Sequence, residues 1–525
     1  MMEQNSLHWI DILIIVVSII VSLAVGLGFA KKQSNTAQYF SAGGNIPSWA
    51  IGISIFATLI SSVTFLAYPG EGFGSNWVRL VQGLMVPIVV IALIGFLVPM
   101  YRKVIGLSAY EYFEKRFGYF ARLYTALAFV LTHFSKMGSV FFLLSLALAS
   151  MTGFDTYTII IVLGIAIIIL TVLGGMEAVI WLDVIQGLLL ILGGIITLVF
   201  IGLKMEGGLG AVLSTANSEG KMSLGPFDWD FVNLTFWVMA INGVFYAIQK
   251  YGTDQTIVQR YLTARTDRSA KRASVMGVLM VVPIWMIFMF IGTALYVFYQ
   301  QSVNPLPEDI RADAVFPFFI LNEMPVGVIG LIISALMAAA ISSLDSDLNC
   351  LAAVGVDDFY SKFRPEASDM KRLKAGKIFV VLSGIGAILV AITYVSAGDK
   401  GVLGIVFMLY AIFSGGIVGI FLLGIFVPRA NKQGINIGIA ACVLFTAYAL
   451  LSSTSIGSGE NKDLILDLGE LNFTQHKYML GVYSHVVLIV VGWLASYLFP
   501  KPDIDENLTY KGWKKLKKQQ ANQSI

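Results

Sequence analysis

The segment AAAISSLDSDLN, residues 338–349, sets three serines, two aspartates and an asparagine at the end of a long apolar run. An ionised carboxylate at bilayer depth costs several kcal/mol unless it faces a protein interior and finds a cation. On a helix each residue advances about 100°. With Ala339 at zero, Ser342, Ser343, Ser346 and Cys350 fall within about 60° of it. Asn349 and Asp345 flank that stripe on one side and Asp347 on the other, while Ile341, Leu344, Leu348 and Leu351 fill the opposite face. One face is wholly apolar and the other carries every polar atom. Small residues and serines alone suit close helix packing equally well. The aspartates favour an ion-binding or hydrated face, and hydroxyl, carbonyl and carboxylate oxygens suit a hard cation such as sodium. Asp347, nearer the helix end, is expected to meet water.

The rest of the chain makes a membrane setting unavoidable. Of 525 residues, 57% are hydrophobic and only 13% charged, with apolar runs of bilayer length recurring throughout. A net charge of +3 gives no footprint for nucleic acid. Two cysteines, Cys350 and Cys442, both inside apolar runs, exclude a disulfide framework, and four scattered histidines show no metal-ligand spacing. The leading run carries no Lys or Arg in its first nine residues and is followed by two lysines, so it reads as a retained span rather than a cleaved signal.

Apolar runs between turn and charge signals give thirteen spans, at 9–30, 49–67, 77–100, 121–150, 156–174, 178–203, 232–253, 273–299, 325–355, 376–397, 401–427, 434–453 and 478–499. With the start outside, 26 of the 35 Lys and Arg fall in the alternate, cytoplasmic loops. A miscounted middle span would scramble that alternation. The outward segments 204–231 and 454–477 are long enough only for small caps. No phosphate-binding G-x-x-x-x-G-K-[ST] motif is present, nor H-E-x-x-H, nor a nucleophile with a plausible histidine partner, so the chain is not expected to be an enzyme. It moves a solute or senses one.

Other polar groups lie at similar depth. Asp183, in GGMEAVIWLDVIQG (174–187), is either a helix-start acid or a functional carboxylate; Glu177 is better placed for the former. The short span 49–67 holds Thr58, Ser61, Ser62 and Thr64 at its middle, which suits a helix unwound around a ligand. In 232–253, Asn242-Gly243 marks a second candidate break. An inverted pair of five-span repeats, 49–203 and 232–427, follows if these spans open each repeat. The leading helix 9–30, two trailing helices within 434–499 and a basic cytoplasmic tail, 500–525, complete the organisation.

YFSAGGNIPSW (39–49), SAYEYFEKRFG (108–118), GGMEAVIWLDVIQG, DQTIVQRYLTAR (254–265) and AAAISSLDSDLN resemble, in order, the hallmark segments of the sodium/solute symporter family. The resemblance implies an all-α, leucine-transporter-like fold of inverted five-helix repeats and sodium-driven uptake by alternating access; the charge pattern and the lack of targeting signals fit a multi-pass place in a bacterial inner membrane. The resemblance also implies a shared sodium site from the carbonyls of Ala57, Ile60 and Ala339 and the hydroxyls of Ser342 and Ser343. Some members hold a second sodium, and Asp183, Ser346 and Asp345 match its position; Asp345 is a carboxylate where those members have a hydroxyl, which suits a tighter ion site, a bound proton or a pair with a lysine. The resemblance points to Ser61, Thr64, Gln82 and Lys136 for the solute. Relatives that take sialic acid carry arginine at the position of Lys136. Lysine lacks the bidentate fork but keeps the charge, so an anionic solute (a sugar acid or monocarboxylate) is favoured over a neutral sugar. Lys136 paired with Asp345 is the structural alternative. Arg79 reads as an interfacial anchor. A sensor on the same fold normally carries a long soluble domain, and the tail after 499 is short.

Overall fold

The computed structural model describes residues 7–30, 33–302, 305–397, 415–456 and 463–523. They form a helical bundle. Nine of the described helices are long and apolar enough to cross a bilayer, ten when a pair bent by 59° is counted as one span. The expected span 401–427 falls partly on residues 401–414, outside the described residues; its remainder is helical at Ile417–Phe426.

The leading helix α1 (Trp9–Ala30) turns Ile12, Leu13, Val16, Val17 and Ile20 outward, as a lipid-facing helix does. Its acid has a structural task. Asp11 is fully buried and accepts the N–H groups of Gly327 at 2.7 Å and Gly330 at 2.8 Å. Those groups open α14 (Val328–Val354), so a carboxylate satisfies the positive end of that helix. After a short α2 (Thr36–Ser41) come α3 (Ser48–Leu59) and α4 (Ser62–Gly74), the bent pair. α5 (Leu80–Val104), the short α6 (Glu111–Phe117) and α7 (Tyr119–Thr152) follow.

α8 runs from Thr156 to Lys204, 49 residues, more than one crossing needs. Gly175, at φ +58° and ψ −164°, breaks it where the sequence separates 156–174 from 178–203. Only glycine fits there, because a Cβ would meet the carbonyl oxygen of Tyr39 at 2.8 Å. The outward segment 204–231 carries only α9 (Gly208–Ser218).

The second expected break is displaced. α10 (Phe236–Gly252) runs without interruption through Asn242-Gly243 and ends at Thr253-Asp254, before α11 (Gln255–Thr263). Gly243 instead permits close packing: a Cβ there would lie 2.7 Å from the carbonyl oxygen of Gln82 on α5. The Asn242 amide donates to the carbonyl of Tyr478 at 2.9 Å.

α12 (Asp267–Gln301) packs on α3, α4 and α5, and α13 (Ala312–Glu323), packed on α4, is a helix the apolar pattern did not foretell. α14 packs on α8, α1, α7 and α15 (Asp369–Ala397) and is buried along almost its whole length. The remaining helices are α16 (Ile417–Phe426), α17 (Lys432–Leu451), α18 (Lys477–Ser496) and the amphipathic tail helix α19 (Tyr510–Gln523). The segment between α17 and α18 holds a two-residue hairpin, Ser455–Ile456 against Asp463–Leu464.

The end of the bundle where α6 meets α7 is tied together by Arg122 of α7. It is 4% exposed and pairs with Asp358 (1% exposed), with Glu114 at 2.6 Å and with Asp357 at 2.8 Å. One guanidinium thus joins α6, α7 and the π turn Gly355–Tyr360 that continues α14.

Candidate functional site

The site is built where α3 gives way to α4. Ile60 (φ −101°, ψ 117°) and Ser61 (φ −122°, ψ −179°) are extended, which ends α3 and leaves carbonyls without their helical partners. Ser61 restarts the chain by accepting the N–H of Val63 at 3.2 Å. The hydroxyl cluster therefore does mark the unwound point.

α14 lies across the break with its polar face inward. The Ser342 hydroxyl donates to the carbonyls of Ala57 at 3.3 Å and Ala339 at 3.2 Å. The Ser343 hydroxyl donates to Thr58 at 3.2 Å and Ile60 at 3.3 Å. All five residues expected at the shared sodium site are thus brought together, with the Thr58 carbonyl as a sixth oxygen. The set holds only neutral hard oxygens, buried, and the hydroxyls rotate freely to offer a lone pair in place of a proton.

One turn further along α14 the polar face meets charge. Asp183 is no helix-start acid. It is fully buried, accepts Ser54 Oγ at 2.5 Å and takes an ion pair from Arg260 at 2.9 Å. Glu177 instead accepts from Gln38 Nε2 at 2.8 Å. Arg260, on α11, is itself fully buried and also donates to Ser54 at 2.8 Å and Ser346 at 2.8 Å. Ser346 lies 3.3 Å from the Thr58 hydroxyl. Asp345 is buried among these groups, with Asp183 and Arg260 as its main electrostatic neighbours, and neither of its oxygens is hydrogen-bonded among the described residues.

Two expectations are corrected here. Lys136 does not pair with Asp345; its ammonium lies 3.0 and 3.1 Å from the two oxygens of Asp347. Asp347 does not meet water. It is fully buried, with His133 Nε2 3.7 Å away, and His133 in turn lies 3.5 Å from Asp254, which pairs with Lys250 at 2.6 Å. The helix end is extended by the π turn, so Asp347 sits deeper than the apolar run suggests.

Of the expected solute residues, Ser61 and Thr64 are buried on the α4 side of the break, tied to α7 by the Ser62 hydroxyl donating to the Val140 carbonyl at 3.1 Å. Lys136 is one turn along α7 from that contact. Gln82, half-buried on α5, sits against α10 and is not hydrogen-bonded to the other three among the described residues. Arg79 pairs with Glu71 at 2.9 Å, just before the start of α5. Arg260, His133 and Asp254 were not singled out from sequence. Arg260 stands in DQTIVQRYLTAR, but its partners are 77 and 206 residues away, beyond the reach of local spacing.

A multi-pass helical bundle that holds ion-coordinating oxygens at a broken helix is the architecture of a secondary active transporter. The chain belongs to the sodium:solute symporter family, whose family model matches residues 39–441. It is 34% identical over 480 residues to the sodium/sialic acid symporter NanT of Aliivibrio fischeri, covering 91% of each chain. A solved substrate-bound, outward-open Na+-coupled sialic acid symporter with a novel Na+ site matches with TM-score 0.85 and 31% identity, over 94% of this chain and 99% of that one. Mhp1, a nucleobase-cation-symport-1 family transporter in a closed conformation, matches in fold with TM-score 0.58 and 16% identity, over 88% and 95%. The leucine-transporter-like fold expected from the sequence is therefore shown. The protein is a multi-pass membrane symporter that couples solute to sodium.

Proposed function

We propose that this symporter imports an anionic sugar acid of the sialic-acid kind, its carboxylate held by Lys136. The observation that carries the reading is a cationic side chain midway along α7, one turn from the contact that fixes the broken helix. The relatives named for sialic acid support it. The solute carboxylate takes the place of Asp347 on the ammonium.

Sodium binds at Ala57, Ile60, Ala339, Ser342 and Ser343 and stabilises the state that receives solute; by linkage the solute strengthens sodium binding equally. Asp183, Asp345 and Ser346 take a second monovalent cation. Two buried carboxylates face one guanidinium there, which leaves one negative charge uncompensated. The breaks at Ile60-Ser61 and Thr253-Asp254 open two inverted repeats, 49–203 and 232–427, that rock about the site. The reaction is transport, with no covalent chemistry.

One observation favours a second reading. With Asp347 already on Lys136, the site is closed electrostatically and suits a neutral sugar. Uptake into proteoliposomes separates the two. Sialate accumulation under an inward sodium gradient, abolished in Ser343→Ala and in Lys136→Ala, is the expected result. Accumulation of glucose or galactose with no sialate uptake overturns the anionic reading. If sodium neither drives uptake nor raises thermal stability, the ion site itself is withdrawn.

A further inference from the structure

Where the cytoplasmic ends of α5 and α12 meet the tail helix α19, the chain forms a half-open cavity of about 550 Å³ with no part in the transport site. Arg102, Lys103, Lys271 and Lys517 line it, against a single carboxylate, Asp267. That carboxylate is committed: Arg102 Nε pairs with it at 2.7 Å. Arg102 also donates to the carbonyls of Tyr261 at 2.6 Å and Ala264 at 2.8 Å, so the pair is a wall of the cavity. Lys103, Lys271 and Lys517 make no ion pair among the described residues. Their charges converge on a space whose one lining carboxylate, Asp267, is held by Arg102.

The cavity also has an apolar side. Gly95 and Pro99 line it, and they continue the stripe of Ile88 and Ile91 along one face of α5, at helical spacings of three and four residues. Ile88 is 63% and Ile91 54% exposed, as apolar side chains that face lipid are. Trp513 of α19 closes the rim. Its ring packs edge-on to Phe96 at 5.3 Å, and the Lys517 ammonium lies 5.2 Å over it. An indole between a basic rim and an apolar wall is what the level of lipid headgroups selects. Basic pockets between helices on the cytoplasmic side bind anionic headgroups by the same chemistry.

We propose that this cavity binds the phosphate of an anionic phospholipid of the cytoplasmic leaflet, with an acyl chain lying along the Ile88–Ile91–Gly95–Pro99 stripe. Lys103, Lys271 and Lys517 neutralise the phosphate, and the lipid pins α19 against α5 and α12.

The test uses the full chain, stripped of lipid in a neutral detergent, and follows its thermal unfolding with phosphatidylglycerol, phosphatidylcholine or inorganic phosphate added. Phosphatidylglycerol is expected to raise the midpoint by roughly 3 °C or more, as a ligand bound to the native state alone does. Phosphatidylcholine and inorganic phosphate leave it unchanged. The shift disappears in the triple variant Lys103→Gln, Lys271→Gln, Lys517→Gln, whose midpoint without lipid matches the parent. The three single variants each lose part of the shift, and they decide the matter if the triple variant does not fold. A shift that persists in all variants places the lipid elsewhere and overturns the proposal. So does an equal shift with inorganic phosphate alone, which makes the site one for a soluble anion.

Discussion

Asp347 is four residues beyond Ser343, one helical turn of about 5.4 Å, so the ion site and the Lys136 pair sit on adjacent turns of the same face. That adjacency makes Asp347 the residue whose substitution discriminates most. If the solute is anionic, Asp347 competes with it, and Asp347→Asn lowers the half-saturation concentration for sialate by about tenfold, ~1.4 kcal/mol. If the solute is neutral, the same change leaves Lys136 without its counter-charge and weakens uptake of every sugar. The sign of the change in initial-rate saturation curves reads out which holds. Arg260 gives a second residue-scale expectation. Its removal leaves the fully buried Asp183 carboxylate unpaired, and Arg260→Met destabilises by ~3–5 kcal/mol. The double variant with Asp183→Asn recovers part of that loss in the same denaturant titration. The serines and aspartates of 338–349 were legible because one helix face carries all their polarity. Arg260 was not, since a buried ion pair is a property of two distant segments.

At the scale of elements, the same kind of signal succeeded once and misled once. The four hydroxyls at the middle of the span 49–67 (Thr58, Ser61, Ser62 and Thr64) compete with the backbone for hydrogen bonds, and α3 does end among them, at Ile60-Ser61. Asn242-Gly243 spells a turn in isolation, yet α10 passes through it, because Gly243 is needed for approach to α5 and Asn242 for a bond to α18. Tertiary packing overrode local propensity. A second long-range tie is Arg122, which holds α6, α7 and the extension of α14 together. Because Asp358 is 1% exposed, Arg122→Ala leaves a buried charge unpaired and is expected to cost ~3–5 kcal/mol. Arg122→Ala combined with Asp358→Asn should cost less than Arg122→Ala alone, measured as thermal midpoints in detergent. Equal midpoints for the two would show that the knot contributes through packing and not charge.

For the whole molecule, hydropathy and charge specify a direction as well as a fold. With 26 of 35 cationic residues in alternate loops, the thirteen-span reading puts the first residues outside and the tail inside. Among the described residues nine helices, or ten with the bent pair, are long and apolar enough to cross a bilayer, and Gly175 breaks α8 between the expected spans 156–174 and 178–203. Direction itself is tested by labelling. Both native cysteines, Cys350 and Cys442, are buried and free, so they give a low background. A cysteine placed at Ser218, at the end of α9 in the segment 204–231, is expected to react with a membrane-impermeant maleimide in intact cells. One placed at Lys518, on the exposed side of α19, reacts only after the membrane is opened. The two positions are separated by an odd number of expected crossings, seven, from 232–253 to 478–499. Labelling of both from the same side would require an even number and remove one span from the count. Protection of Lys518 with labelling of Ser218 places the lysine-rich cavity on the cytoplasmic leaflet, where the lipid assignment requires it.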